Sequence, residues 1–158
     1  MISYRFAGIT ADIADHVRSH LSSPQYGHPV HVERATGYGP CRVCLDTFRE
    51  GEEDRILFTY QPFADPAALP SPGPIYIHRE SCPRFDAPMV PPALRRLPLV
   101  LEGYGPQGSL VRQERVGARE PGGLLDELFE DARLEYAHVR NAEAGCFIAR
   151  VERVFICG

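Results

Sequence analysis

The sequence predicts an α+β fold made of one domain over residues 1–158, with a mainly antiparallel sheet, two helices and a zinc-knuckle-like insertion. The length of 158 residues is that of one ordinary domain. Most apolar segments are short and are separated by turns rich in proline and glycine, which is typical of strands. Two segments instead have the apolar spacing of an amphipathic helix. Together these observations favour a single α+β layer arrangement.

The first half of the chain is expected to form one short helix and four strands. Ile13, Val17 and Leu21 share one helical face, and Thr10 or Asp12 is placed to cap the helix. The strand segments are short, apolar and bounded by polar residues or proline. In chain order the expected elements are a strand over 2–8, a helix ending near Leu21, a short strand over 30–33 within a loop, and strands over 56–60 and 75–78 that pair antiparallel across the proline-rich loop 62–74.

The second half is expected to contain two strand pairs and the longer helix. The helix is predicted from an apolar stripe that includes Leu124, Leu128 and Ala132, with acidic residues on the opposite face. Gly–Pro and Gly–Gly pairs mark the breaks between elements. In chain order the expected elements are strands over 97–104 and 109–116 joined by a turn at 105–108, a stop at 120–123, a helix over 124–133, and strands over 135–139 and 146–155 joined by residues 140–145.

Composition excludes several classes of function. All seventeen basic residues are arginine, so the chain has no lysine for a Schiff base, a covalent pyridoxal site or a Walker-A phosphate loop. A net charge of −4 argues against nucleic acid or an anionic membrane as partner. No apolar run approaches the roughly 20 residues that span a bilayer. Because the first residues also lack the features of a signal peptide, a cytoplasmic location is expected.

Four residues have the composition and spacing of a zinc site. The pattern is C-x2-C, a gap of 33 residues and then H-x3-C, formed by Cys41, Cys44, His78 and Cys82. The predicted strand pair supplies the fold-back that the long gap requires. The alternative is that the cysteines are small buried residues and that the histidine ends a strand with its hydrogen bonds satisfied. A redox C-x-x-C is less favoured, because no helix begins after its first cysteine.

A zinc ion held by these residues would have four protein ligands, which is typical of a structural site. In a catalytic version one of the four residues would not coordinate the ion, and Glu80 or Asp46 would be the candidate base. The sequence alone does not select between the two versions.

A second group of residues lies near the C-terminus. Arg140 and Asn141 are expected at a strand end, and Cys146 at the start of the next strand. An arginine and an asparagine beside a cysteine could bind an anion, with Cys146 as candidate nucleophile and His138 on the same side. The alternative is a hairpin in which Asn141 makes the turn, Cys146 fills core and Arg140 pairs with an acid. Cys157 is the remaining cysteine without an assigned role.

Several segments resemble the domain-of-unknown-function 1203 family of bacterial proteins. They are Pro40–Leu45, Gly51–Glu52, Ile56–Tyr60, Gly73–His78, His138–Asn141 and Gly145–Val151. The likeness runs from Phe6 to about Arg153 and is most specific at 40–45 and 138–151. It implies one domain, and the family implies no activity.

We therefore expect the protein to be a cytoplasmic domain that is stabilised by one zinc ion and serves as a binding module. Its partner would be a small or anionic molecule or a protein, and the predicted ligand-binding residues are Arg42, Tyr60, Arg140 and Asn141. The alternative is an enzyme of unknown class that uses Cys146 as nucleophile or the zinc as a Lewis acid.

Overall fold

The computed structural model describes residues 2–37 and 39–155, and in this part of the chain two helices accompany mostly antiparallel sheets, as predicted. The helices are α1 (Ala11–His20) and α2 (Pro121–Leu128), and short 3-10 turns lie at Pro92–Arg96 and Pro106–Gly108. The strands are β1 (Ile2–Ala7), β2 (His31–Arg34), β3 (Asp54–Tyr60), β4 (Gly73–His78), β5 (Asp86–Ala87), β6 (Leu99–Tyr104), β7 (Leu110–Arg115), β8 (Tyr136–Asn141) and β9 (Phe147–Phe155).

The backbone groups into two compact units. The first, which we call the sheet unit, comprises the described residues of Met1–Ala7 and Phe85–Gly158. The second comprises Gly8–Arg84 with the exception of residue 38, and we call it the cluster unit because it contains the four predicted zinc ligands. The first unit is therefore discontinuous in sequence. One domain over residues 1–158 stays a prediction.

The sheet unit contains a six-stranded sheet in the order β5-β1-β9-β8-β6-β7. The hairpins β6–β7 and β8–β9 confirm the two predicted strand pairs to within about two residues at each end. Alternating side chains enter a buried core, which includes Phe6, Leu101, Leu125, Val139 and Val151.

The prediction for α2 was wrong at both ends. The segment expected to stop the hairpin instead begins the helix: Pro121 occupies the first turn, and the Glu120 carboxylate accepts a hydrogen bond of 2.8 Å from the Gly123 N–H. After Leu128 the chain turns away, and Arg153 donates hydrogen bonds to the carbonyls of Phe129 and Asp131. These two carbonyl groups therefore have hydrogen-bond partners without a further helical turn. The helix ends at Leu128 although the apolar spacing in the sequence continues to Ala132.

The cluster unit contains α1 and a three-stranded antiparallel sheet in the order β2-β3-β4. Leu21 does not extend the buried face of α1 as predicted. It adopts a left-handed conformation with φ of 53°, ends the helix and is 46% exposed, whereas Val17 is fully buried. No helix in residues 2–37 and 39–155 is long and apolar enough to cross a membrane.

Candidate metal centre

The four residues predicted to bind zinc lie close together in the cluster unit. One donor atom from each of Cys41, Cys44, His78 and Cys82 lies within 4.8 Å of all the others. The Sγ atoms of Cys41 and Cys82 are 3.8 Å apart, and the Sγ of Cys44 is 3.5 Å from Nδ1 of His78. Zinc–sulfur bonds of about 2.3 Å and zinc–nitrogen bonds of about 2.0 Å at tetrahedral angles give separations of about 3.8 Å and 3.5 Å. These two spacings therefore suit a tetrahedral metal ion.

The first two ligands lie on a tight turn that closes on itself. The Cys41 N–H donates to the carbonyl of Asp46, and the Leu45 N–H donates to the carbonyl of Cys41, both at 2.8 Å. Leu45 has a φ of 56°, which is uncommon for a residue with a side chain, and this side chain is buried. The Val43 N–H points at the sulfur of Cys41 at 3.4 Å. The turn thus directs the two thiols the same way.

Backbone hydrogen bonds fix this turn against two neighbouring segments. The Arg42 N–H donates to the carbonyl of Tyr76 on β4 at 3.0 Å, and the Ile9 N–H donates to the carbonyl of Arg42 at 2.8 Å. A Cβ atom on Gly8 would lie 2.1 Å from the carbonyl oxygen of Val43, so only glycine allows this approach.

The strand pair β3–β4 brings the second pair of ligands to the turn. The antiparallel pairing predicted for 56–60 and 75–78 is confirmed; the paired strands span 54–60 and 73–78, with Arg55 opposite His78. His78 ends β4, and its N–H donates to the sulfur of Cys41 at 3.3 Å. Cys82 follows four residues later, outside any strand or helix. The gap of 33 residues is therefore spanned by ordinary antiparallel pairing.

Glu53 and Arg18 contact the predicted ligand residues. Nε2 of His78 faces Oε1 of Glu53 at 3.4 Å, while Nδ1 faces the thiols. The guanidinium of Arg18 donates to the carbonyl of His78 at 3.0 Å and to the sulfur of Cys82 at 3.3 Å. A carboxylate on the second nitrogen of a ligand histidine is the usual support of such a ligand in metal sites. Glu53 lies in an acidic run whose composition is typical of a solvated turn, and no sequence signal marks Arg18.

The electrostatics of the cluster favour a bound cation. Burial lowers the pKa of His78, but a hydrogen bond with Cys41 and the charges of Cys41 and Glu53 outweigh it and raise the pKa. Hydrogen bonds with Cys41 and Cys44 lower the pKa of Cys82, and hydrogen bonds with Cys41 and Cys82 raise the pKa of Cys44. The arrangement therefore favours ionisation of Cys82 and opposes that of Cys44, and a divalent cation would allow the thiols to ionise together.

A cavity of about 570 Å³ opens beside the cluster. Cys44, His78 and Cys82 form part of its wall, together with Asp46 and Glu80. Its other lining residues are mostly charged, and they are Arg34, Thr47, Arg49, Glu52, Glu53, Asp54, Arg79 and Ser81. Several of these are paired with each other, as in the contacts of Asp54 with Arg34 at 3.4 Å and with Arg79 at 3.3 Å. A small polar molecule that enters this cavity would therefore meet three of the four cluster residues.

The four predicted ligand-binding residues lie elsewhere. Arg42 and Tyr60 belong to the cluster unit, Arg140 and Asn141 belong to the sheet unit, and none of the four lines the cavity. Arg42 is 4% exposed, and its guanidinium donates to the carbonyl of Pro40 at 2.6 Å. Tyr60 ends β3, 6.3 Å from the ring of Phe58. Their role in ligand binding stays a prediction.

In the sheet unit the contacts of Arg140 and Asn141 are those of the hairpin alternative. Nε of Arg140 lies 2.6 Å from a carboxylate oxygen of Glu102, and both side chains are buried. Asn141 Oδ1 accepts hydrogen bonds of 2.8 Å from the backbone N–H groups of Glu143 and Ala144, which closes the turn. Cys146 directly precedes β9 and is half-buried, and its role as nucleophile stays a prediction. Cys157 lies outside the described residues.

His138 should make stability fall in acid. Its ring is fully buried against the rings of Tyr104, Tyr136 and Phe147. Burial, reinforced by the charges of Arg140 and Arg150, lowers its pKa to about 3. The unfolded chain therefore binds the extra proton between about pH 6.5 and pH 3, and the free energy of unfolding is expected to drop by up to about 1.4 kcal/mol per pH unit in that range.

The measurement is urea unfolding of the wild type and of His138→Phe at pH 8, 6, 5 and 4. The difference between the two proteins should shift in favour of the variant as the pH falls, because the variant lacks this proton uptake. His31→Gln, at an exposed histidine, serves as the control. A wild-type curve that stays parallel to that of His138→Phe would contradict the expectation.

Comparison with known families gives one match. A family model described as "Protein of unknown function (DUF1203)" matches residues 38–153, which include all four cluster residues. No curated protein and no solved structure matches the chain.

Proposed function

Since the chain belongs to the DUF1203 family of proteins of unknown function, we propose its function from the chemistry of its own residues. It is a zinc-binding protein in which a structural zinc ion is bound by Cys41, Cys44, His78 and Cys82. It serves as a binding module for a small molecule or a protein. The observation that carries this proposal is the set of four donor atoms within 4.8 Å of one another.

The donor set favours zinc over other metals. Thiolates and imidazole are the ligands of tetrahedral zinc, whereas calcium and magnesium take oxygen ligands. Four protein donors fill a tetrahedral shell and leave no position for water, which supports a structural rather than a catalytic ion. Glu53 on the far nitrogen of His78 supports the same assignment, since it fixes the ring and increases its basicity.

The cavity beside the cluster is the ligand site that we propose for the module. It is large enough for a small molecule, and its charged walls suit a polar ligand. The net charge of −4 disfavours nucleic acid as partner. We also propose a cytoplasmic location, because a reducing compartment keeps cysteine thiols out of disulfides and available to zinc.

Protein purified without added metal is expected to contain one zinc ion per chain by elemental analysis. In a competition titration with a chromogenic chelator, Glu53→Gln should bind zinc about 10- to 100-fold more weakly, because the amide supports the ring of His78 less well than the carboxylate does. Glu52→Gln changes the adjacent exposed carboxylate, which also lines the cavity, and should bind as the wild type does.

Reduced protein that contains no metal and takes up none would overturn the zinc assignment. Equal affinity in Glu53→Gln and Glu52→Gln would leave the ion in place but remove Glu53 from its support.

A further inference from the structure

We propose that Cys82 is an oxidation site of the Cys3His cluster, at which a hydroperoxide produces a disulfide to a second cluster cysteine and releases the metal. This inference rests on the proposed zinc site. It gives that site a second property, which is the reversible loss of its ion under oxidation.

Exposure to solvent differs among the three cysteine residues of the cluster. Cys41 is completely buried, whereas Cys44 and Cys82 are partly exposed and line the cavity of about 570 Å³. A hydroperoxide is small and polar, and it can approach through this cavity. The choice therefore lies between Cys44 and Cys82.

Backbone attachment separates these two cysteines. Cys44 lies in the same closed turn as Cys41. This turn is held in place by two backbone N–H groups that donate hydrogen bonds to the sulfur of Cys41. Cys82 lies in the irregular segment after β4, and its sulfur is held by the side chain of Arg18 at 3.3 Å. A ligand on such a segment can leave the metal and turn toward the cavity with less disturbance than one in the closed turn.

A partner for disulfide formation is already in contact. The sulfur of Cys41 lies 3.8 Å from the sulfur of Cys82, and the donor atom of Cys44 is within 4.8 Å. Arg18 also binds the carbonyl of His78, so its side chain ties the Cys82 sulfur to the end of β4, close to both other cysteines. An oxidised Cys82 would therefore meet a second thiolate after a shift of about 2 Å, since a disulfide bond is about 2.05 Å long.

The proposed reaction needs only a hydroperoxide. The thiolate of Cys82 attacks one peroxide oxygen, the O–O bond breaks, and a sulfenic acid and a hydroxide ion (or alkoxide) form. The thiolate of Cys41 or Cys44 then attacks the sulfenic sulfur, the S–O bond breaks, and a disulfide and a second hydroxide ion form. Two electrons pass from the two sulfurs to the peroxide, and the two hydroxide (or alkoxide) ions each take a proton from the buffer. The ion keeps two of its four protein ligands and dissociates.

The test begins with wild-type protein whose zinc content has been measured in the absence of reductant. Hydrogen peroxide is added, zinc release is followed with a chromogenic chelator, and non-reduced peptides are mapped by mass spectrometry. The expected result is the loss of two thiols for each zinc ion released, a disulfide that contains Cys82, and recovery of zinc binding after dithiothreitol and zinc are added.

Two variants make the result specific. Cys82→His keeps a zinc donor at this position. Its rate of zinc release should be lower than that of the wild type by about tenfold or more. Cys146→Ser removes a half-buried thiol outside the cluster and should release zinc at the wild-type rate. If Cys82→His does not bind zinc, the wild-type peptide map decides alone.

Zinc that stays bound while Cys146 oxidises, or a Cys41–Cys44 disulfide with Cys82 still reduced, would overturn the inference. Protein that holds no zinc before the peroxide is added would instead overturn the proposed function, so the two failures are distinguishable.

Discussion

Removal of the proposed zinc ion is expected to unfold the cluster unit. This unit has one helix of ten residues and a three-stranded sheet, and its ligands come from two segments that are far apart in the chain. Structural zinc in finger peptides binds with roughly 10–16 kcal/mol, which exceeds or matches the 5–15 kcal/mol stability of a typical domain. Without the proposed ion, the three thiols and His78 at the end of β4 would be joined only by the backbone hydrogen bonds of the turn and by side-chain contacts.

The measurement is hydrogen exchange by mass spectrometry before and after chelation under reducing conditions. Amides of β3, β4 and the turn at Cys41–Asp46 should lose their protection, and zinc should restore it. Cys44→Ser should reproduce the loss without a chelator, whereas Cys146→Ser should exchange as the wild type does. Unchanged protection of β3 and β4 in metal-free protein would show that the ion has no structural role.

Loss of the carboxylate of Glu102 is expected to have the second largest effect. The ion pair with Arg140 is 2.6 Å long, and the two side chains are only 6% and 10% exposed. Glu102 also accepts hydrogen bonds from Gln113 at 3.0 Å and from Tyr104 at 3.3 Å. Glu102→Leu leaves a buried guanidinium without its partner, and we expect a loss of about 3–5 kcal/mol in the free energy of unfolding.

The double variant Glu102→Leu, Arg140→Met should recover most of this loss, because it removes both buried charges together. Glu152→Ala breaks a partly exposed pair with Arg150 of 3.0 Å on β9 and should cost less than about 1 kcal/mol. Urea unfolding of the four proteins at pH 7.5 measures these differences. If Glu102→Leu costs no more than Glu152→Ala, the buried pair contributes little to stability.

The double variant also addresses the predicted role of Arg140 in ligand binding. A ligand that requires this guanidinium should no longer bind to the refolded double variant. Binding that is unchanged would leave Arg140 with its structural contact alone.

The sequence predicted the elements that depend on local patterns. The strands 56–60 and 75–78 were recognised because they are short, apolar and bounded by polar residues or proline, and their pairing explains how His78 returns to Cys41. Boundaries were less predictable where a turn residue also suits a helix start. Pro121 and the two glycines after it suggested a stop, but Glu120 caps a helix there.

By itself the sequence determined the α+β class, the four residues of the cluster and most of the strand order along the chain. These follow from residue type and from spacing over a few positions, which a linear pattern records. Tertiary structure alone placed Glu53 and Arg18 beside the ligands, opened the cavity next to Cys82 and gave Arg140 a buried partner in Glu102. Such contacts join residues 25 to 64 positions apart and depend on which side chains the packing brings together, so no local pattern specifies them.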